Sequence, residues 1–320
     1  MTSAGDLELI TVGRISVDLY ADEVNAGFDE VRGFVKALGG SPTNVAVAAA
    51  RLGHRAAVFT KVGTDPFGAY LRGELVRFGV DTRYVGTHPT LRTPLAFAVL
   101  DPPEDPELLF YREPTAPDLE LGAGEVDAAT VERVPILWVT GSALSRDPSA
   151  GTVEGMLAAR GRRRHTVLDL DYRPSFWASE QQARARIGAA VEHVTVAVGN
   201  RAECAVAVGS DDPHEAARRL LARGVELAIV KLGGDGVLVA GADEQATIPA
   251  APVAVVCGLG AGDAFGGALC HGLLSGWAPS RAVEFANAAG AIVAGRLLCA
   301  EAMPSEAEVS DVVEAARAAR

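Results

Sequence analysis

Cys257-Gly258-Leu259-Gly260-Ala261-Gly262-Asp263-Ala264-Phe265-Gly266-Gly267 follows directly on the β-branched run Val253-Ala254-Val255-Val256. The pattern predicts a strand, a Gly-x-Gly turn, and a helix opening at Ala261. Such a turn aims several backbone N–H groups at one point, with the positive end of the helix dipole behind them. Small side chains let an anion approach the backbone closely. Asp263 falls in the first helical turn, beside that anion, where a carboxylate can take a proton from an attacking hydroxyl. A purely structural reading fits the same residues: a glycine-rich turn in which Asp263 stabilises the helix dipole.

Two familiar nucleotide patterns do not fit here. No Gly-Lys dipeptide occurs anywhere in the chain, so the Walker loop, which ends in Gly-Lys-Ser or Gly-Lys-Thr, is excluded. Nor does the spacing match Gly-x-Gly-x-x-Gly. The last glycine would fall on Asp263 counted from Gly258, or on Phe265 counted from Gly260.

Upstream of the turn, short β-branched runs alternate with helical patterns. Strands are predicted at 9–13, 56–62, 136–140, 166–170, 195–198, 227–231 and 237–240, and helices at 42–52, 66–78, 149–163, 181–193 and 213–223. This alternation predicts crossover connections and a mostly parallel sheet covered on both faces. Ligands of such sheets sit outside the carboxyl ends of the strands. Two segments break the rhythm. Residues 16–38 have no clean helical period, and 91–119 read as strands 95–100 and 108–112 joined by Asp101-Pro102-Pro103-Glu104-Asp105-Pro106. Prolines fix that turn and deny ladder hydrogen bonds, as suits an exposed hairpin. Together the two segments predict a small β-sheet standing off the main body as a lid; two surface loops are the plainer alternative. Helices follow at 261–274, at 279–297 and from Ser305, and residues 1–320 read as one domain.

Composition narrows the function classes. The chain has 320 residues, 49% of them apolar, and a net charge of −12. An acidic protein lacks the basic face that nucleic acid requires. The four cysteines form no Cys-x-x-Cys pair and no cluster with zinc spacing, so free thiols in a reducing compartment are expected. The N-terminus carries no basic segment ahead of an apolar one, and residues 257–277 are broken by glycines around Asp263 and His271. Neither a secretory leader nor a membrane span is expected, and the protein reads as soluble and cytoplasmic. The histidines are scattered and read as structural or surface groups.

A second glycine turn, Gly39-Gly40-Ser41-Pro42-Thr43-Asn44, precedes an alanine-rich helix. Pro42 suits the first turn and Ser41 is a candidate cap. Capping does not readily explain the Gly39-Gly40 pair together with Asn44. Paired glycines admit a ligand, and the Asn44 amide can both donate to and accept from sugar hydroxyls.

In chain order, Gly39-Gly40-Ser41-Pro42-Thr43-Asn44, Asn200-Arg201-Ala202-Glu203, Lys231-Leu232-Gly233-Gly234-Asp235-Gly236 and Gly260-Ala261-Gly262-Asp263 resemble the signature elements of the ribokinase-like carbohydrate kinases. The resemblance spans nearly the whole chain. It implies a ribokinase-like three-layer α/β/α fold with a mostly parallel central sheet and a small β-sheet lid. It implies ATP-dependent phosphorylation of a sugar, with Mg2+ accompanying ATP. Asp263 would be the base, with Gly260, Ala261 and Gly262 forming the anion turn. Asp18, Gly39, Gly40 and Asn44 would meet the substrate. Asn200, Glu203, Lys231, Gly233, Gly236, Gly260, Gly262 and Asn287 would meet ATP, Asn200 and Glu203 also holding hydrated Mg2+ indirectly. Those two residues equally suit a helix cap and its capping-box partner, and both roles can hold at once.

Finer features resemble the sugar-acid branch of that family, the 5-dehydro-2-deoxygluconokinases of inositol catabolism. They are the stretches from Gly13 to Tyr20 and from Leu168 to Trp177, and Phe110-Tyr111-Arg112-Glu113. Kinases of 2-dehydro-3-deoxygluconate share the arginine-bearing elements, and fructose or ribose are further alternatives. An acid substrate needs cations for its carboxylate. Arg112, with Tyr111 beside it on the lid, and Arg173 after a core strand could offer planar forks; solvated surface arginines are the alternative. Many members carry Asp-Thr-Thr ahead of the Gly-Ala-Gly-Asp turn, whereas this chain has Cys257-Gly258-Leu259, which puts activation by a bound potassium ion in doubt. The lid's exposed sheet makes a homodimer the expected assembly.

Overall fold

A computed structural model of the chain describes residues 6–104 and 106–318. Residues 1–5, on which the reading of the N-terminus rests, and Asp105 of the proline-rich turn lie outside the described residues. The chain runs through β1 (Leu9–Val12), β2 (Ser16–Val24), β3 (Phe34–Gly39), α1 (Ser41–Arg51), β4 (Ala56–Gly63) and α2 (Pro66–Arg77). Next come β5 (Val85–His88), β6 (Leu95–Leu100), β7 (Glu107–Tyr111), α3 (Ala128–Arg133), β8 (Ile136–Thr140) and α4 (Ser149–Arg160). They lead to β9 (Thr166–Asp169), α5 (Glu180–Val191), β10 (Val196–Asn200), α6 (Arg201–Val208), α7 (Pro213–Ala222) and β11 (Leu227–Lys231). The chain closes with β12 (Val237–Gly241), β13 (Gln245–Ile248), α8 (Ala261–Leu274), α9 (Pro279–Ala294), α10 (Cys299–Ala302) and α11 (Glu306–Ala318).

Among the described residues the main sheet has nine strands in the order β13-β12-β11-β10-β9-β8-β1-β4-β5. All its pairings are parallel except β11 with β12 and β12 with β13. Helices cover both faces. Along β8, Ile136 and Trp138 join one core and Leu137 and Val139 the other. A strand buried on both sides reads as an unbroken apolar run, which is why this segment was legible end to end.

Helices α1 and α8 pack side by side on one face. A Cβ on Gly267 would lie 2.3 Å from the Cβ of Ala48, and one on Gly266 would lie 2.8 Å from the Trp138 ring. This glycine seam lets the two helices approach closely enough to bring their starts together.

A separate four-stranded sheet, β3-β2-β6-β7, forms the lid. Its inner face buries Tyr20, Ala37, Ala98 and Leu100 against Cys257 and Cys299. Its outer face carries a row of aromatics in which Phe97 meets Phe34 at 5.2 Å and Tyr111 at 5.4 Å between ring centroids.

One local expectation fails. The run Val253-Ala254-Val255-Val256 is not a strand. Val256 and Cys257 both donate their N–H groups to the Ala294 carbonyl at the end of α9, and the valines stay 38–42% exposed. The strand ahead of the glycine turn is β13. The proline turn does join β6 and β7 as an antiparallel hairpin, exposed at Asp101, Pro102 and Glu104, and it is also tethered, because the Gly258 N–H donates to the Pro103 carbonyl at 2.9 Å. No helix among the described residues is long and apolar enough to cross a membrane.

Candidate active site

The carboxyl ends of β1, β9, β10 and β11 and the starts of α1, α6 and α8 enclose a cavity of about 520 Å3. Arg14 arrives just past β1, Asp169 and Asp171 at and past the end of β9, Asn200 on β10 and Lys231 on β11. The strand order reverses at β1, which has β8 on one side and β4 on the other. That switch point is where such sheets hold ligands.

Two helices begin at this cavity without a side-chain cap. Gly40 (φ 101°) precedes α1 and Gly260 (φ 81°) precedes α8. Both conformations favour glycine, and with no cap the first N–H groups of each helix are left for a ligand. Ser41, expected as a cap, is the first residue of α1, and it hydrogen-bonds Asp263. Asn44 Nδ2 donates to Asp263 Oδ2 at 2.8 Å. Desolvation raises the Asp263 carboxyl above its ordinary value, while Asn44, Ser41 and the charge of Arg14 oppose the rise. Asn44 Oδ1 is buried with no hydrogen-bond partner, an acceptor left free for a hydroxyl.

Gly39 ends β3 against Asp18, where an added Cβ would fall 2.0 Å from the carboxyl carbon. Ser16 Oγ donates to Asp18 Oδ1 at 2.6 Å. Desolvation carries Asp18 up to about 6, with the Ser16 hydrogen bond pulling the other way.

Asn200 and Glu203 form a reciprocal capping box. Glu203 N donates to Asn200 Oδ1 at 2.9 Å, and Asn200 N to Glu203 Oε2 at 2.7 Å. Both side chains also line the cavity. Lys231 sits near Glu203. Desolvation opposes its charge, but Glu203, Asp169 and Asp263 keep its pKa raised. Burial pushes Asp169 up, against the pull of Lys231. Past Lys231, Gly233 and Gly262 the cavity joins a more apolar cleft of about 690 Å3, lined by Gly236, Val253, Phe265, Asn287 and Gly290 among others. Asn287 Nδ2 donates to the Pro249 carbonyl at 2.7 Å in its wall.

At the opposite end, Asp171 gathers cations. Arg14 reaches both its oxygens at 3.3 and 3.4 Å, Arg173 pairs with Oδ1 at 3.3 Å, and Ser142 Oγ donates to Oδ2 at 2.6 Å. Burial would raise Asp171, but Arg14 and Arg173 outweigh it and hold the carboxyl below its usual range. Asp171 also adopts φ 27°, a strained conformation kept where surrounding contacts over-determine it.

Two residues expected at the substrate lie elsewhere. Successive strand residues face opposite ways, and on β7 it is Phe110 that borders the cavity. Tyr111 turns to the outer face of the lid against Phe97 and is 59% exposed. Arg112, just past β7, is buried and donates from Nη2 to Asp118 Oδ1 at 2.7 Å. Conversely, Arg14, Asp169 and Asp171 line the cavity without having been assigned to it. The available signal was a charged residue at or just beyond the carboxyl end of a parallel strand. The lid tip is a further participant, since Glu104 borders both cavity and cleft.

Comparison with known proteins agrees with this geometry. The pattern that defines the pfkB family carbohydrate kinases matches residues 6–306. A relative from Geobacillus kaustophilus (strain HTA426) named 5-dehydro-2-deoxygluconokinase is 32% identical over 96% of this chain and 94% of its own length; further relatives bear the same name. Among solved structures, a ribokinase II from E. coli in complex with ATP and Mg2+ superposes with a TM-score of 0.86 and 25% identity, covering 97% of this chain and 99% of its own. A fructokinase from Vibrio cholerae O395 with fructose, ADP and calcium bound gives 0.84 and 26%, covering 97% of this chain and 100% of its own.

Proposed function

This chain belongs to the pfkB family of carbohydrate kinases, and on that footing we propose that it transfers the γ-phosphoryl group of ATP to the terminal hydroxyl of 5-dehydro-2-deoxy-D-gluconate, with Asp263 as the base. Sugar phosphotransfer is the activity of the family. The observation that carries the assignment of the base is the Asn44–Asp263 hydrogen bond at the meeting of two uncapped helix starts. Asn44 donates to Oδ2 of the base and Ser41 also hydrogen-bonds this carboxylate, which keeps further lone pairs for the acceptor hydroxyl.

In this reading the sugar lies in the polar cavity and the nucleotide in the apolar cleft, with the transferred phosphoryl group over Gly260–Asp263. The terminal hydroxyl gives its proton to Asp263 as its oxygen bonds to the γ-phosphorus and the bond to the leaving ADP oxygen breaks. Backbone N–H groups at the start of α8 and the Lys231 ammonium stabilise the charge on the phosphoryl oxygens. Asp18 and the free Oδ1 of Asn44 accept from acceptor hydroxyls. Mg2+, when bound with ATP, neutralises phosphate charge. The capping box engages only one oxygen of Glu203, so its other oxygen and the Asn200 amide fit an ion that keeps its waters. The lid excludes water from the reaction.

The name shared by the relatives and the cationic end of the cavity support the choice of acceptor. ADP release from the purified protein, measured with a panel of sugar acids, fructose and ribose, tests it. Preference for the named acid is expected; preference for a neutral sugar overturns the substrate assignment. Ahead of the anion turn, Cys257 is buried and Gly258 is bonded to the lid. We propose that turnover does not depend on potassium.

The outer face of the lid leaves Phe28 and Leu109 substantially exposed beside its aromatic row, and we propose that two copies pair through it. The four cysteines are free and buried, which fits a cytoplasmic setting.

A further inference from the structure

We infer that Arg14 is the residue that reads the acceptor's carboxylate, and that Arg112 serves it as a positioning residue through Asp118. The inference rests on the reading of the acceptor as a sugar acid and names the groups that would recognise it.

Three arginines lie near this end of the cavity, and their pairings differ. Arg112 is tightly bound to Asp118 at 2.7 Å, with both side chains buried. Arg14 and Arg173 share the single carboxylate of Asp171, at 3.3–3.4 Å. Charge-assisted hydrogen bonds are normally nearer 2.7–2.9 Å, so these contacts are loose and open to exchange. Two cations share the one carboxylate they are paired with; the charges of Asp263 and Asp18 also favour ionised Arg14 without forming an ion pair with it, so its fork can turn to a substrate carboxylate. Nη1 of Arg14 has no partner among the described residues, and both Arg14 and Arg173 border the cavity. Arg173 is 42% exposed in its side chain and Arg14 only 11%. The less solvated fork gives the stronger interaction with an anion.

The backbone of Arg14 is clamped on both sides. Thr43 Oγ1 donates to its carbonyl at 3.1 Å, and the next amide, Ile15 N, donates to Asp118 Oδ2 at 2.9 Å. The other oxygen of Asp118 is the one held by Arg112. Arg112 lies just past β7, so that edge of the lid reaches the Arg14 backbone through the Asp118 carboxylate, in addition to the chain link from Arg14 through Ile15 into β2. Both guanidinium groups lie over the Phe176 ring, with Arg112 Cζ 4.5 Å and Arg14 Cζ 5.7 Å from its centroid. Arg112 therefore sets where Arg14 stands without facing the cavity itself.

The test compares the sugar acid with its counterpart in which the carboxylate is replaced by a hydroxymethyl group. The expected result for Arg14→Met is a KM for the acid raised by about 10- to 100-fold, a smaller loss on the alcohol, and a collapsed preference between them. Arg14→Lys, which keeps a charge beside Asp171, should lose less and guards against a folding defect. Arg112→Met should weaken acid binding in the same direction, and the double variant Arg14→Met/Arg112→Met should be no worse on the acid than Arg14→Met alone. An unchanged acid preference in both Arg14 variants overturns the role of Arg14. Strictly additive losses in the double variant overturn the link from Arg112. If the wild-type protein phosphorylates no sugar acid, the acceptor assignment itself fails, which is a different result from either.

Discussion

Asn44 and Asp263 stand 219 residues apart in sequence and share a hydrogen bond of 2.8 Å between the first turns of two helices. If Asp263 is the base, Asp263→Asn should reduce turnover by about 10²–10⁴-fold with the fold intact by circular dichroism. Asn44→Ala frees Oδ2 and removes an acceptor, so it should lower turnover and raise KM for the sugar more than for ATP. Full activity in Asp263→Asn would end the assignment.

Asp18 makes a prediction about stability against function. Its folded pKa is raised to about 6 by desolvation, above the ordinary aspartate value of about 3.9. The native state then binds more protons than the unfolded chain across that interval, so holding the charged form costs stability as pH rises through it. Asp18→Asn should be more stable than wild type near neutral pH, by about 1–2 kcal/mol, and the advantage should vanish towards pH 4. The same variant should bind sugar less well. Thermal melts across this range check the sign.

His54 and His271 face each other at 3.0 Å between ring nitrogens, behind the ends of α1 and α8. Desolvation lowers both pKa values, with Glu8 opposing it at His54. A base with a lower pKa folded than unfolded binds fewer protons in the native state, so stability falls as pH drops through about 6.5. Replacing both with glutamine should flatten the acid side of the Tm profile. An identical acid slope in that variant would remove the pair as its cause.

Gly258 predicts a lid phenotype. A Cβ there would lie 2.1 Å from the Glu104 carbonyl oxygen, so Gly258→Ala must push the lid tip away. Catalytic efficiency should fall on the order of tenfold or more, and ATP hydrolysis without sugar should rise as water gains access. Unaltered coupling between sugar phosphorylation and ADP release would show that this contact does not close the site.

For the proposed dimer, Phe97→Glu places a charge at the centre of the aromatic row formed with Phe28, Phe34 and Tyr111. Light scattering should show dimers for the wild type and monomers for the variant. A monomeric wild type rejects the assembly.

The strands of the main sheet were legible because burial on both faces leaves apolar runs such as Ile136–Thr140 and Leu227–Lys231. The glycine turns were legible because uncapped helix starts need residues that tolerate Gly40 and Gly260 backbone angles. Val253–Val256 misled for the converse reason: Val253 and Val255 line a cleft, and the Val256 amide bonds to the end of a helix. Arg112 misled because Asp118, its partner, is six residues away in sequence and meets it only through the bend after β7. Arg14 and Asp171 lay inside stretches already singled out. What was missing was the strand order that places the ends of β1 and β9 around one cavity.

The seam of Gly266 and Gly267 against Trp138 and Ala48 has a consequence for how this architecture can diversify. Asp263, the proposed base, and its amide partner Asn44 ride on two helices locked by residues with no room to grow, so that chemistry would be held by parts that scarcely tolerate change. Arg14 and Arg173, the cations proposed to face the acceptor, ride instead on loops after β1 and β9, where side chains can be exchanged without disturbing that seam. A new acceptor can thus arise by substitution at strand ends, while a change as small as one methyl group at Gly267 should silence the enzyme without touching its substrate.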